Sequence, residues 1–154
     1  VGKVSARNTV RWHLDALVLA ALGDPRPVLT FANYDTGDVG PRALAAHPRD
    51  EARAALRWLV GVMREGLVRP LPFRPAAAWA WLEEFAGDAA AADEAAARQW
   101  ITRTGSGEGS DAATSLALRG AMPFVDDAAT LEFRAWAKSV FAAICHARVP
   151  GAAA

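Results

Sequence analysis

The chain of 154 residues is poor in cysteine, in lysine and in net charge. Its one cysteine, Cys145, excludes an internal disulfide framework and fits a reducing compartment, with the cytoplasm as the expected location. Equal numbers of basic and acidic residues, 17 of each, leave no overall field to draw the protein to nucleic acid or to an anionic membrane. Any basic function must therefore be local. Lysine occurs only at Lys3 and Lys138, and this bias toward arginine and alanine reads as genome composition rather than mechanism. The most apolar helical stretch, residues 10–22, is interrupted by Arg11, His13 and Asp15 and falls short of the ~20 residues that a membrane crossing requires.

What is abundant is apolar surface, 53% of the residues, enough for one domain with a substantial core. Ser5 predicts an N-cap for a helix over residues 5–22, with Gly23 as its stop. Val10, Leu14, Leu17, Val18 and Ala21 form its expected inner stripe. Trp12 and Leu19 lie opposite, which predicts cover on both sides, as for a helix packed on a sheet and roofed by others. Residues 28–34 and 39–44 read as a hairpin around Asp35-Thr36-Gly37-Asp38. Residues 49–65 form the best amphipathic segment, with Ala52, Leu56, Leu59, Val60 and Met63 inward, Gly66 as its stop, and Arg53, Arg57 and Arg64 along one flank. Pro70 and Pro72 forbid helix in the exit PLPF. Helices are expected over 76–86, 93–102, 111–119 and 128–147, the last built on Phe133, Ala137, Val140, Phe141 and Ile144, with a frayed tail. The fold class is α+β, mostly helical, with a small β element packed by helices.

Chemistry-bearing motifs are weak. Asp35-Thr36-Gly37 matches the aspartic-protease triplet, but that chemistry needs two aspartates sharing a proton and no second copy exists; a turn is the better reading. The loop TGSGEGS, residues 104–110, lacks the Lys-Ser/Thr ending of a phosphate cradle and reads as a solvated loop. His13, His47 and His146 are far apart, and neighbouring Cys145 and His146 lack chelating helical spacing, so no metal site and no cofactor is expected. Glu83 and Glu84 are paired only in sequence, and Asp126 and Asp127 suit capping of the following helix. Large aromatics off the inner stripes, Trp58 and Trp79, mark a roofed core or a protein interface. Arg53, Arg57 and Arg64 could bind phosphates or face a partner. These five are the candidate interface residues, and no catalytic residue is expected.

The serial order of SARNTVRWHLDALVLAALG, the VLTFANYDTGD hairpin, EARAALRWLVGVMREGLVRPLPF, the AWAWLEEF helix, the Gly-Glu-Gly loop and the closing helix resembles the C-terminal domain of RecC, the gamma subunit of exodeoxyribonuclease V. The resemblance implies a partial PD-(D/E)XK nuclease-like fold that is not a working nuclease. In active relatives the catalytic carboxylates and Lys precede a helix carrying Gln-x-x-x-Tyr; here Arg11 and Asp15 stand at those two places, against cleavage. It further implies RecB-like and RecD-like partner subunits, double-stranded DNA ends met through the assembled complex, and a role in recombinational repair of double-strand breaks. The chain is then expected to be a single C-terminal fragment, residues 1–154, of a larger protein whose preceding part of the domain is missing. Two alternatives remain: an independent helical protein-interaction module, and a degenerate restriction-type nuclease fragment.

Overall fold

The opening helix shows how local chemistry sets the element boundaries. The Ser5 hydroxyl accepts from the Asn8 amide, and Gly23 adopts a left-handed φ of 83°, so that its own amide returns to Ala20 and that of Asp24 to Leu19. This closes the last turn in the manner expected of glycine past a helix end. A computed structural model describes residues 5–24, 26–33, 39–44, 46–85, 88–101, 107–109 and 111–145. Its elements run α1 (Ala6–Leu22), β1 (Leu29–Asn33), β2 (Val39–Ala43), α2 (Arg49–Val68), α3 (Pro75–Phe85), α4 (Ala89–Trp100), α5 (Ala112–Ala117) and α6 (Asp127–Ile144). The protein is mostly helical, and among the described residues no helix is long and apolar enough to cross a membrane.

The two strands pair antiparallel with Phe31 opposite Pro41, and the Leu44 amide extends the ladder to Val28. Pro41 is tolerated because a two-stranded ribbon has only edge strands. The expected hairpin is present, but its turn, residues 34–38, lies outside the described residues. The expectation that helices pack on this sheet is corrected: α1 packs on α2, α3 and α6, and among the described residues no helix packs closely on the hairpin. With the sheet out of the way, Trp12 and Leu19 are half-buried rather than enclosed.

The main core lies between α3, α4 and α6. Trp79, Trp81, Leu82, Trp100, Phe133, Phe141 and Ile144 are among its large members, and Ala77, Ala78, Ala92 and Ala96 let α3 and α4 approach closely. Each large side chain withdrawn from water contributes roughly 1.5–3 kcal/mol. All five residues expected to build α6 are buried. A second cluster joins Leu17 and Ala21 of α1 to Ala52 of α2.

Several boundaries shift from their expected places. Helix α2 runs through Gly66 to Val68, because Leu71 folds against Gly66 and the PLPF exit begins only at Pro70. The alanine run 89–92 opens α4 behind an Asp88 N-cap, four residues earlier than expected. Helix α5 is cut to one and a half turns, and Arg119 (φ 53°) and Gly120 (φ 83°) turn the chain away. Helix α6 stops at Ile144, while the tail from residue 146, including His146, lies outside the described residues.

Candidate interaction surface

The face that α2 turns inward decides what its arginines can do. Ala52, Ala55, Leu56, Leu59 and Val62 are the residues that meet the two cores. The expected inner members Val60 and Met63 instead stand 43% and 60% exposed, and on α1 Val18 is likewise exposed. The inner stripe is thus rotated by roughly 50°, half of one residue's turn, from its expected position, because α2 packs beside α1 and α6. Consequently Arg53, Arg57 and Arg64 share an outward flank with Val60, Met63 and Leu67.

The three arginines do not behave alike. Arg53 Nε donates to the Ala21 carbonyl at 3.0 Å, joined by Arg49 Nε at 3.4 Å. Both place positive charge on the C-terminal end of α1, where unpaired carbonyls and the helix dipole favour it. Arg53 therefore has a structural task. Arg57 and Arg64 are exposed, and neither has an acidic partner among the described residues. Trp58, also on α2, is 40% exposed.

Trp79 is placed differently from its expected second-face position. It is buried and meets Phe141 edge-on at a centroid distance of 5.3 Å, because α6 crosses the side of α3 that the helical wheel left open. It belongs to the core.

Farther along, Arg69 donates to Glu65 and to Glu132, each at 2.6 Å, with its guanidinium 5.8 Å from the centre of the Trp136 ring. These hydrogen bonds, Glu132 first, hold it more firmly protonated than usual. Arg69 lines a cleft of about 320 Å³ with Val68, Pro70, Pro72, Leu118 and Arg119.

Two polar constellations were not legible from the sequence. Asp93 on α4 accepts from both the Arg134 guanidinium on α6 and the Trp81 indole on α3, tying together the three helices of the core. Glu108 accepts from the amides of Ala76 and Ala77 at 3.2 and 2.9 Å, satisfying the start of α3. Partners 41 and 31 residues apart leave no local pattern to find. The Glu108 contact also corrects the solvated-loop expectation for residues 107–109: Gly107 is buried, and the amides of Glu108 and Gly109 return to Gln99 and Trp100, while residues 104–106 and 110 lie outside the described residues. A carboxylate of the loop itself occupies the helix amides that an incoming anion would use.

The remaining expected features sit apart. Arg11 and Asp15 are exposed, one turn apart on α1, and Glu83 and Glu84 are exposed on α3. Asp126 accepts from the Met122 amide at 2.7 Å, closing the turn before α6, and Asp127 stands in that helix's first turn. Asp35, Thr36 and Gly37 lie outside the described residues. Among the described residues no three His, Cys, Asp or Glu side chains gather as a metal ion would require.

Among known families, the model described as the RecC C-terminal domain matches residues 1–86, more than half of the chain. It spans α1, the hairpin, α2 and α3, while α4, α5 and α6 lie beyond it. No curated protein matches the chain.

Proposed function

We propose, for a chain that belongs to the RecC C-terminal domain family, a noncatalytic scaffold and DNA-handling role within the RecC subunit of exodeoxyribonuclease V. That assembly is an ATP-dependent helicase and nuclease acting on double-strand ends in recombinational repair, with motors and nuclease on RecB-like and RecD-like subunits. The family match over residues 1–86 is the observation that carries the reading. The outward α2 surface, with Trp58, Arg57 and Arg64, supports it as a place for a partner to bind. Aromatic and arginine side chains are favoured anchors at such surfaces.

On this reading the helices and hairpin are part of a nuclease-like PD-(D/E)XK domain that has lost its chemistry. Arg11 and Asp15, which replace the Gln and Tyr of active relatives, support that loss. The test is to incubate the purified protein with linear duplex and single-stranded DNA in magnesium or manganese. No cleavage is expected. Chelator-sensitive cleavage that persists through stringent purification would overturn the noncatalytic reading in favour of a restriction-type nuclease.

A further inference from the structure

Helix α2 carries two apolar seams, and the fold uses one. Ala52, Ala55, Leu59 and Val62 are spent on α1 and the main core. The other seam starts at Leu56, which also packs against the cluster of Leu17, Ala21 and Ala52, and runs on through Val60, Met63 and Leu67 at spacings of four, three and four residues, the alternation with which one helix presents a continuous edge to another. Leu56 is half-buried, and exposure then climbs through 43% at Val60 and 60% at Met63 to 80% at Leu67. A seam that is covered at one end and bare at the other has the form of a docking edge, not of scattered surface leucines.

Charge identifies the occupant. Arg57 and Arg64 lie seven residues apart along one border of this seam, in the flanking position from which charged side chains select a partner helix. Neither is neutralised by an acidic side chain among the described residues. Of the acids of α2, Asp50 shares this border but stands two turns before Arg57, Glu51 is on another side of the first turn, and Glu65 is engaged with Arg69. From Arg57 onward the border is therefore positive and uncompensated among the described residues, next to apolar side chains that a phosphate backbone could not use.

We propose that this outer face of α2 receives an acidic amphipathic helix from a partner subunit, whose apolar stripe covers Val60, Met63 and Leu67 and whose carboxylates pair with Arg57 and Arg64. The proposal rests on the scaffold reading above and specifies where and how one partner docks.

The experiment uses the full-length parent chain co-expressed with its partner subunits. A photoreactive benzoyl-phenylalanine in place of Met63 is irradiated in the assembled complex, and the cross-linked peptide is mapped by mass spectrometry. In parallel, Arg57→Glu and Arg64→Glu are combined, with far-ultraviolet circular dichroism as the folding control. The expected results are a cross-link into a helix with carboxylates beside its apolar stripe, and roughly tenfold weaker retention of that subunit by the double reversal. Reversing the partner's carboxylates to lysine restores retention. A cross-link into DNA, or into a segment without carboxylates, overturns the proposal. So does no cross-link, or unchanged retention by the double reversal, while the partners remain bound; the scaffold reading then survives and this surface is wrong. If the unmodified parent chain retains no partner at all, the scaffold reading falls and this inference falls with it.

Discussion

The Trp100 indole fills the space that a side chain at Gly109 would need. A Cβ built on Gly109 would lie 2.6 Å from Trp100 Cε2 and nearer still to its Nε1, while the Gly109 amide donates to the Trp100 carbonyl at 3.0 Å. This contact seats residues 107–109 on the end of α4 and thereby delivers Glu108 to the start of α3. The tryptophan is itself edge-on to Phe133 at 5.8 Å, so it cannot yield without disturbing the core.

Gly109→Ala should therefore destabilise the protein by about 1–3 kcal/mol, the usual cost of forcing atoms into a packed core. Gly61, in the middle of α2, has nothing within 4 Å of a built Cβ. Gly61→Ala should be stabilising by roughly 0.5–1 kcal/mol through helix propensity alone. Urea denaturation of the two variants checks both signs, and equal effects would contradict the packing described.

Trp79 and Trp58, both interface candidates by sequence, should separate cleanly. Trp79→Ala removes a buried ring from its contact with Phe141 and should cost about 3–5 kcal/mol. Trp58→Ala, at a 40% exposed site, should cost less than about 1 kcal/mol. Matching unfolding midpoints would show that α3 and α6 do not cross as found.

Asp93 and Arg134 should prove coupled. Their pair is partly solvent-exposed, 23% and 38% by side chain, so its contribution is screened and Arg134→Ala should cost about 1–2 kcal/mol. The loss includes freeing a carboxylate that also holds the Trp81 indole. A double-mutant cycle with Asp93→Ala should return a positive coupling energy, and strict additivity would mean that the pair does not form.

Acidification tests the caps. The Thr114 side chain, then its amide, holds the Asp111 carboxyl below the ordinary value of 3.8. A carboxyl with a depressed folded value stabilises above its unfolded value, and the contribution is lost as pH falls through the folded one. The stability difference between the natural protein and Asp111→Ala should thus be constant above 3.8 and shrink below it. Asp24, lowered to about 2 by its hydrogen bond with Arg26, follows the same sign. A difference that grows on acidification would refute the cap.

Elements with strong local signals were legible in advance. Ser5 and Gly23 bracket α1 as their cap chemistry requires, and the five apolar residues of α6 all reach the core. The sequence does not single out the inner face of α2, because Val60 and Met63 are as apolar as Val62 and only the direction of the neighbouring helices separates them. The same holds for Trp79, which α6 covers. Of the candidate surface, the outward position of Arg57 and Arg64 followed from helical spacing. The capping role of Arg53 did not, since its acceptor, the Ala21 carbonyl, is 32 residues away.

The most direct test of the scaffold role is the subunit composition of the assembled complex. On the scaffold reading, a RecC-like chain with and without the segment of residues 1–154 would be co-expressed with RecB-like and RecD-like subunits and weighed by native mass spectrometry. The account predicts a complete complex with the full chain and the loss of at least one partner subunit when these residues are removed. A complete complex of unchanged mass, apart from the missing segment, would contradict it.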